Sequence, residues 1–281
     1  MKVLNKFYLT PNEEGKVLED RSKYMTAQYT KLARDFMQGL ELQGKVAFLY
    51  AAGVTLQASE ARNAKDTGQY SESIQESTLA IKEVSAYSMH RWIGALKTPE
   101  LVKYASINAN TCASSMYSLY EAEQLLNSGF DEVIIVAEEK TSFNTIRVFD
   151  EHDINLKLGE ALAVIHLGKG EGIGNVKWSY EYSRNPFGVT ASGYTEVYTD
   201  TPVVNPHGTG TEINETAETS LFGDKKQLRY KEQYGHTQGV SGLLEVCLVL
   251  DADIDEDVLC VSSGLGGFYG SCTIYNNKEN P

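Results

Sequence analysis

Three short stretches carry residue types that can do covalent chemistry. Cys112 stands where a strand-like segment at 104–107 gives way to a helix-like segment at 113–127, so its sulfur should face the unpaired N–H groups and positive end of a helix. That placement predicts a lowered thiol pKa and thiolate near neutral pH. Ala109, Ala113, Ser114 and Ser115 are small, which leaves room for a tight turn and an incoming acyl group. Taken alone, the stretch also suits a cysteine that only fills a strand–helix corner. Two of the five histidines lie in Gly-flanked turns: His207 in Asn205-Pro206-His207-Gly208-Thr209-Gly210-Thr211, and His236 in Gly235-His236-Thr237-Gln238-Gly239. Histidines in turns at the ends of strands and helices are placed to reach a pocket. His90, His152 and His166 lack such settings and read as structural or solvated, and Cys247, Cys260 and Cys272 read as small buried hydrophobes.

The elements that must position these groups follow from periodicity. Tyr29, Leu32, Phe36 and Leu40 recur three or four apart and predict an amphipathic helix. Val46-Ala47-Phe48-Leu49-Tyr50 predicts a buried strand, and 88–96 a helix ended by Pro99. Segments 104–107, 113–127 and 131–137 form a βαβ grammar, which implies parallel strands. A strand is expected at 160–167, then a Gly-rich linker at 168–174 that divides the chain into halves, 1–170 with the nucleophile and 171–281 with both histidines. The second half repeats the grammar with strands near 203–204, 258–261 and 271–275 and helices near 215–222 and 237–250. No repeat shows at the level of sequence.

Composition excludes several classes. The 281 residues are 42% hydrophobic and 22% charged, enough to bury a large core. A net charge of −13 argues against a general nucleic-acid or anionic-membrane binder, both of which need excess Lys and Arg. The start lacks a signal-peptide core, and the longest apolar runs, 133–137 and 246–250, fall far short of a membrane span, so a cytoplasmic protein is expected. With no CxxC pair and no zinc-like Cys/His spacing, neither a disulfide framework nor a metal site is expected.

At these motifs the sequence resembles the β-ketoacyl synthase (ketosynthase) family of the thiolase superfamily, as an unusually short member. Thr111-Cys112-Ala113-Ser114-Ser115 is similar to the nucleophile motif, His207-Gly208-Thr209-Gly210-Thr211 to the first histidine motif, and Gly235-His236-Thr237-Gln238-Gly239 to the second, in family order. Lys231 and Glu218 match the positions of the family's active-site Lys and Glu, and Ser263-Gly264-Leu265-Gly266-Gly267-Phe268 its Gly-rich loop. Phe149-Asp150 and Leu158-Gly159-Glu160 are similar to the stretch before the last strand of the first half. Leu265 stands where many members have a gating Phe, and Phe268-Tyr269 replace the usual Thr-Asn. The resemblance implies an α/β, layered αβαβα thiolase-like fold with two related halves and mixed sheets. In this chain the usual first strand and much of the capping insertion are expected to be absent or shortened, and the interval from Glu160 to His207 to be short of pocket-building helices.

What the resemblance implies about chemistry is decarboxylative Claisen condensation. Cys112 takes an acyl group, and His207 and His236 hydrogen-bond the thioester carbonyl of a malonyl donor, while the N–H groups of Cys112 and Leu265, in the loop with Gly266 and Gly267, form an oxyanion hole. Lys231 and Glu218 are expected to pair and to support His236, and Thr209, Thr211 and Thr237 to hydrogen-bond within their turns. No metal or redox cofactor is needed, since substrates arrive as phosphopantetheine thioesters. An acyl carrier protein is the implied partner, with Lys97, Lys103, Lys140 and Arg147 as a local basic patch against the acidic background. A homodimer, or a heterodimer with a related ketosynthase-like subunit, is also implied. Two alternatives stay open: an acyltransferase on the same scaffold, or a non-catalytic partner like a chain-length factor.

Overall fold

The computed structural model describes residues 1–11, 25–53, 88–139, 156–182 and 189–276, with the backbone alone at 25–30. The first sheet holds β1 (Lys2–Leu9), β2 (Val46–Ala52), β3 (Val102–Asn108), β4 (Glu132–Glu139) and β5 (Ala161–Gly168) in the order β1-β5-β4-β2-β3. β1 and β4 run antiparallel to β5, and β4, β2 and β3 run parallel. The second sheet, β6 (Ile173–Tyr180), β7 (Val203–Asn205), β8 (Lys226–Gln227), β9 (Val258–Gly264) and β10 (Phe268–Ile274), has the order β6-β10-β9-β7-β8. Strand for strand this is the same order and the same pattern of parallel and antiparallel neighbours.

Alternation along the central strands shows why both sheets are buried on two faces. Ala47, Leu49, Ala51, Val133, Ile135, Ala137, Ala163 and Ile165 belong to one core, while Val46, Phe48, Tyr50, Ile134, Val136, Leu162 and Val164 belong to another. Successive side chains of a strand point to opposite faces, so continuous apolar runs serve two cores at once. The outer core is closed by α1 (Met25–Gln38), through Ala33 and Met37, by Trp92 in the helical residues 88–93, and by Ala95 in the turn that follows them. The central core is filled by α2 (Ser114–Asn127) and by Leu243, Leu244, Val246 and Val249 of a second helix, Ser241–Asp251, which is apolar around most of its circumference. Beyond the second sheet lie α3 (Ala191–Val197) and α4 (Glu212–Phe222), which bury Tyr194, Val197, Ala217 and Phe222 against Val204, Leu259 and Val261. α5 (Tyr230–Tyr234) is a short helix ahead of the second histidine turn, and Ser241–Asp251 is α6. The result is a five-layer αβαβα arrangement with two mixed sheets.

One sequence expectation needs correction. The first strand, expected to be absent or shortened, is present: the eight residues Lys2–Leu9 pair along β5 as an edge strand. Its mostly half-exposed residues, with Asn5 and Lys6 interrupting the apolar pattern, gave it a weak signature of its own. The strands on either side of α2, β3 and β4, are parallel as expected, with β2 between them. The Phe149-Asp150 stretch, His152, Lys140 and Arg147 lie outside the described residues. His90 is exposed, whereas His166 is buried and holds Glu132 at 2.9 Å and Asn5 at 3.2 Å.

Candidate active site

Cys112 sits in a single 3₁₀ turn, Thr111–Ala113, between β3 and α2. Thr111 has φ 53°, a left-handed value that costs a β-branched residue energy and turns the chain sharply enough to present the sulfur. The elbow is fastened from its own side by Ser114, whose Oγ donates to the Thr111 carbonyl at 2.6 Å and accepts from the Asn110 N–H at 2.8 Å. From the other side Thr111 Oγ1 donates to the Leu265 carbonyl at 3.3 Å. Only a glycine fits at 264, where a Cβ would lie 2.5 Å from Thr111 Oγ1 and 2.6 Å from the Asn110 carbonyl oxygen.

The second histidine turn is built on the same plan. Gln238, with φ 49°, opens a 3₁₀ turn, Gln238–Val240, that leads into α6 and packs against the Cys112 turn. His236 is pinned through its backbone: its N–H donates to the Lys157 carbonyl at 2.6 Å and its carbonyl accepts from the Gly159 N–H at 3.1 Å. The Leu158-Gly159 stretch is thus the bracket that holds this loop. His207 follows β7, and the N–H of the next residue, Gly208, donates to both oxygens of Glu218 at 2.9 and 3.2 Å. Thr209 and Thr211 hydrogen-bond each other at 3.1 Å, within the turn as expected.

These distant segments converge. His236 Nε2 lies 3.1 Å from Cys112 Sγ, and the His207 and His236 rings are 5.1 Å apart at 88°. All three residues are buried, with Cys112 retaining 7% exposure. The backbone N–H groups of Cys112 and Leu265 both favour the charged form of the sulfur, as two donors near one reacting atom would. Leu265, Gly266 and Gly267 make the turn between β9 and β10, with Gly266 at φ 93° and Gly267 at φ 91°.

The electrostatics overturn one expectation. Burial pushes the Cys112 thiol up to about 12, and the Glu139 carboxylate raises it further, against the lowering effects of Lys231 and of the two N–H groups. A helix N-terminus lowers a thiol pKa only where the thiolate keeps solvation, and here desolvation wins. Burial, with the Lys231 cation beside them, holds both histidines well below the ordinary imidazole value, so they are neutral.

A second correction concerns the support pair. Lys231 forms its ion pair with Glu245 of α6, not with Glu218, and both side chains are almost fully buried. The other Glu245 oxygen accepts from Asn205 at 2.6 Å. Glu218 is occupied by Gly208 and by the Tyr194 hydroxyl, 3.1 Å away, which also reaches Ser263 at 3.2 Å. Glu218 lies a helix away on α4, so its carboxylate closes the His207 turn. Sequence reasoning missed Glu245, Asn205 and Glu139. The first had a signal, a lone carboxylate in the middle of an apolar helix, which is tolerated only with a partner.

Among the described residues no cluster of His, Cys, Asp or Glu could hold a metal ion, and no helix is long and apolar enough to cross a membrane.

No family model matches the chain, and no curated protein matches it in sequence. Solved structures do match in fold. A beta-ketoacyl synthase from Burkholderia phymatum is similar at a TM-score of 0.64 and 15% identity, covering 93% of this chain and 86% of that one. A type II PKS ketosynthase, solved with its acyl-carrier protein and bound to the hexaketide, is similar at a TM-score of 0.67 and 14% identity over 93% of this chain and 87% of that one. A ketosynthase from Xenorhabdus doucetiae in complex with its chain length factor gives a TM-score of 0.55 and 14% identity over 92% and 82%. The chain has the thiolase-like fold of ketosynthases.

Proposed function

We propose that this protein is a β-ketoacyl-thioester synthase that joins an acyl group held on Cys112 to a malonyl unit delivered by an acyl carrier protein. The observation that carries the reading is the convergence of one sulfur, two neutral imidazoles and two backbone N–H groups on a common point. In acylation, Cys112 Sγ attacks the carbonyl of an acyl thioester and the bond to the carrier sulfur breaks. The thiol proton passes to His236 Nε2 and on to the departing carrier thiolate. The Cys112 and Leu265 N–H groups stabilise the oxyanion of the tetrahedral intermediate. The malonyl thioester then loses carbon dioxide, and the electron pair of the broken C–C bond becomes an enolate whose oxygen His207 and His236 stabilise by hydrogen bonds. That carbon attacks the acyl-Cys112 carbonyl, a new C–C bond forms, and Cys112 leaves as thiolate and regains a proton. Neutral donors suit the task, because their hydrogen bonds strengthen as charge develops on the oxygen. No resident cofactor enters the scheme, and the phosphopantetheine arm belongs to the substrates.

Partner and location belong to the same proposal: an acyl carrier protein, docking partly through exposed Lys97 and Lys103, a homodimer or a heterodimer with a related ketosynthase-like chain, and a cytoplasmic setting. Two of the structural neighbours are ketosynthases solved with a carrier protein and with a chain length factor, which supports the choice of partners. Incubation with an acyl thioester, followed by intact mass spectrometry, tests the first step. An adduct is expected on the wild-type chain and not on Cys112→Ala, and malonyl-carrier protein should then yield a product two carbons longer. An acyl adduct that only hydrolyses would favour an acyltransferase, and no adduct with the natural partner present would leave a non-catalytic subunit.

A further inference from the structure

The turn that carries the Leu265 N–H needs fastening from outside itself. Gly266 and Gly267 both sit at positive φ, 93° and 91°, and two successive glycines leave the backbone free to shift. Thr111 fastens one end, through its hydroxyl on the Leu265 carbonyl at 3.3 Å. Glu181 fastens the other. Its N–H donates to the Gly267 carbonyl at 2.9 Å, and the two backbones pack so closely that a Cβ at 267 would run into the Glu181 carbonyl oxygen. Glu181 lies one residue beyond β6, and the β6–β10 ladder ends with Tyr180 opposite Phe268, so the ladder alone does not fix its place.

The side chain of Glu181 supplies the anchor. One carboxylate oxygen accepts from the Thr190 hydroxyl and from Ser192 Oγ at 3.4 Å, and the second accepts from Ser192 Oγ at 3.2 Å. Thr190 is itself held: its Oγ1 caps α3 by accepting from the Gly193 N–H at 3.0 Å, and its N–H donates to the Tyr269 hydroxyl at 2.9 Å. With Oγ1 already accepting from Gly193, the one hydroxyl hydrogen of Thr190 is free to go to the carboxylate. Tyr269 is buried and stands two residues after Gly267, on the strand that leaves the turn. Gly267, Glu181, Thr190 and Tyr269 thus close a ring of contacts around one end of the turn. Resting on the condensing-enzyme reading, we propose that Glu181 is a positioning residue: its carboxylate, anchored on Thr190 and Ser192, holds the Gly267 end of the turn so that the Leu265 N–H stays aimed at the oxyanion formed on the acyl group of Cys112. Hydrogen bonds weaken steeply off-line, so a turn that drifts loses stabilisation of the transition state while the substrate still binds.

Two variants and two readouts test the assignment. Single-turnover acylation by an acyl thioester is followed on the whole chain as a function of thioester concentration. Glu181→Ala should lower the maximal rate about tenfold, less than the roughly 100- to 1,000-fold lost when an oxyanion donor is removed outright, since the N–H is displaced and not deleted. The half-saturating thioester concentration should stay within about twofold, because the donor acts on charge present only in the transition state. Glu181→Gln keeps an oxygen acceptor for Thr190 and should stay within about threefold of wild type. Amide hydrogen exchange gives the second readout: in Glu181→Ala residues 265–267 should exchange at least about fivefold faster, with the interiors of β9 and β10 unchanged. A merely structural role would speed exchange along both strands and lower the fraction acylated without slowing the rest. Glu181→Ala acylating at the wild-type rate, Glu181→Gln as slow as Glu181→Ala, or unchanged exchange at 265–267 overturns the assignment. If the wild type itself is not acylated, the condensing reading fails, and the exchange comparison decides by itself whether Glu181 holds the turn.

Discussion

Glu245→Gln is the sharpest test of the buried pair beneath the histidines. The amide has nearly the shape of the carboxylate, so the substitution opens no cavity. The change is in acceptors: the carboxylate gives one oxygen to Lys231 and the other to Asn205, whereas the amide has a single oxygen and presents an NH₂ to one of the two donors. Lys231 then remains an almost fully buried cation without a counter-charge, in a site where both partners were about 5% exposed. Breaking one side of such a pair costs about 3–5 kcal/mol, far above the ~1 kcal/mol of an exposed pair. The measurement is equilibrium denaturant unfolding followed by circular dichroism, on the wild type, Glu245→Gln, Lys231→Met and the double variant. The double variant should be no less stable than Glu245→Gln, since removing the lysine removes the uncompensated charge, and the cycle should show a coupling of about 2 kcal/mol or more. A loss below about 1 kcal/mol in Glu245→Gln, or additive single losses, would refute the claim that this pair is a desolvated, mutually dependent unit.

Other consequences can be measured on the same material. His207 and His236 are held neutral when folded but take up protons near pH 6.5 when unfolded, so their contribution is lost as pH falls below about 6.5, by about 1.4 kcal/mol per pH unit for each histidine. The raised carboxyls of Glu218 and Glu245 act in the opposite sense, since they hold protons in the fold that the unfolded chain releases above about 4.5. The histidine share is therefore the difference in slope between the wild type and the His207→Asn/His236→Asn variant, and identical slopes would contradict it. Gly264→Ala should push the Thr111 elbow out of place, because its methyl meets Thr111 Oγ1 and the Asn110 carbonyl, and acylation of Cys112 should drop at least tenfold while the chain stays folded. Wild-type acylation in that variant would show that the elbow has slack. Tyr194→Phe removes a donor shared by Glu218 and Ser263, and unfolding should show a loss of about 1–3 kcal/mol. No change would mean that Gly208 alone satisfies the carboxylate.

Much of the site could be read in order along the chain. The small residues around Cys112 announced a tight elbow, the Gly-flanked turns announced two reachable histidines, and apolar runs such as 46–50 and 133–137 announced strands buried on both faces. These are local signals, because turn chemistry and side-chain periodicity depend on neighbours a few residues away. What the sequence left open depends on groups brought together from far apart. β1 is a strand because β5 lies beside it, not because its own pattern demands one. Lys231 could have met Glu218 or Glu245, and only the placement of α6 against α5 settles on Glu245. The doubled architecture is invisible as a sequence repeat yet plain in two sheets with one strand order, since topology survives changes in every side chain that leave the apolar alternation intact. The ionisation of Cys112 shows the division most directly: the chain order places the thiol at a helix start, which favours thiolate, and only the tertiary structure buries it beside Glu139, which favours thiol. Desolvation is a property of everything packed around a group, so it is decided by the fold and not by any stretch of sequence that contains it.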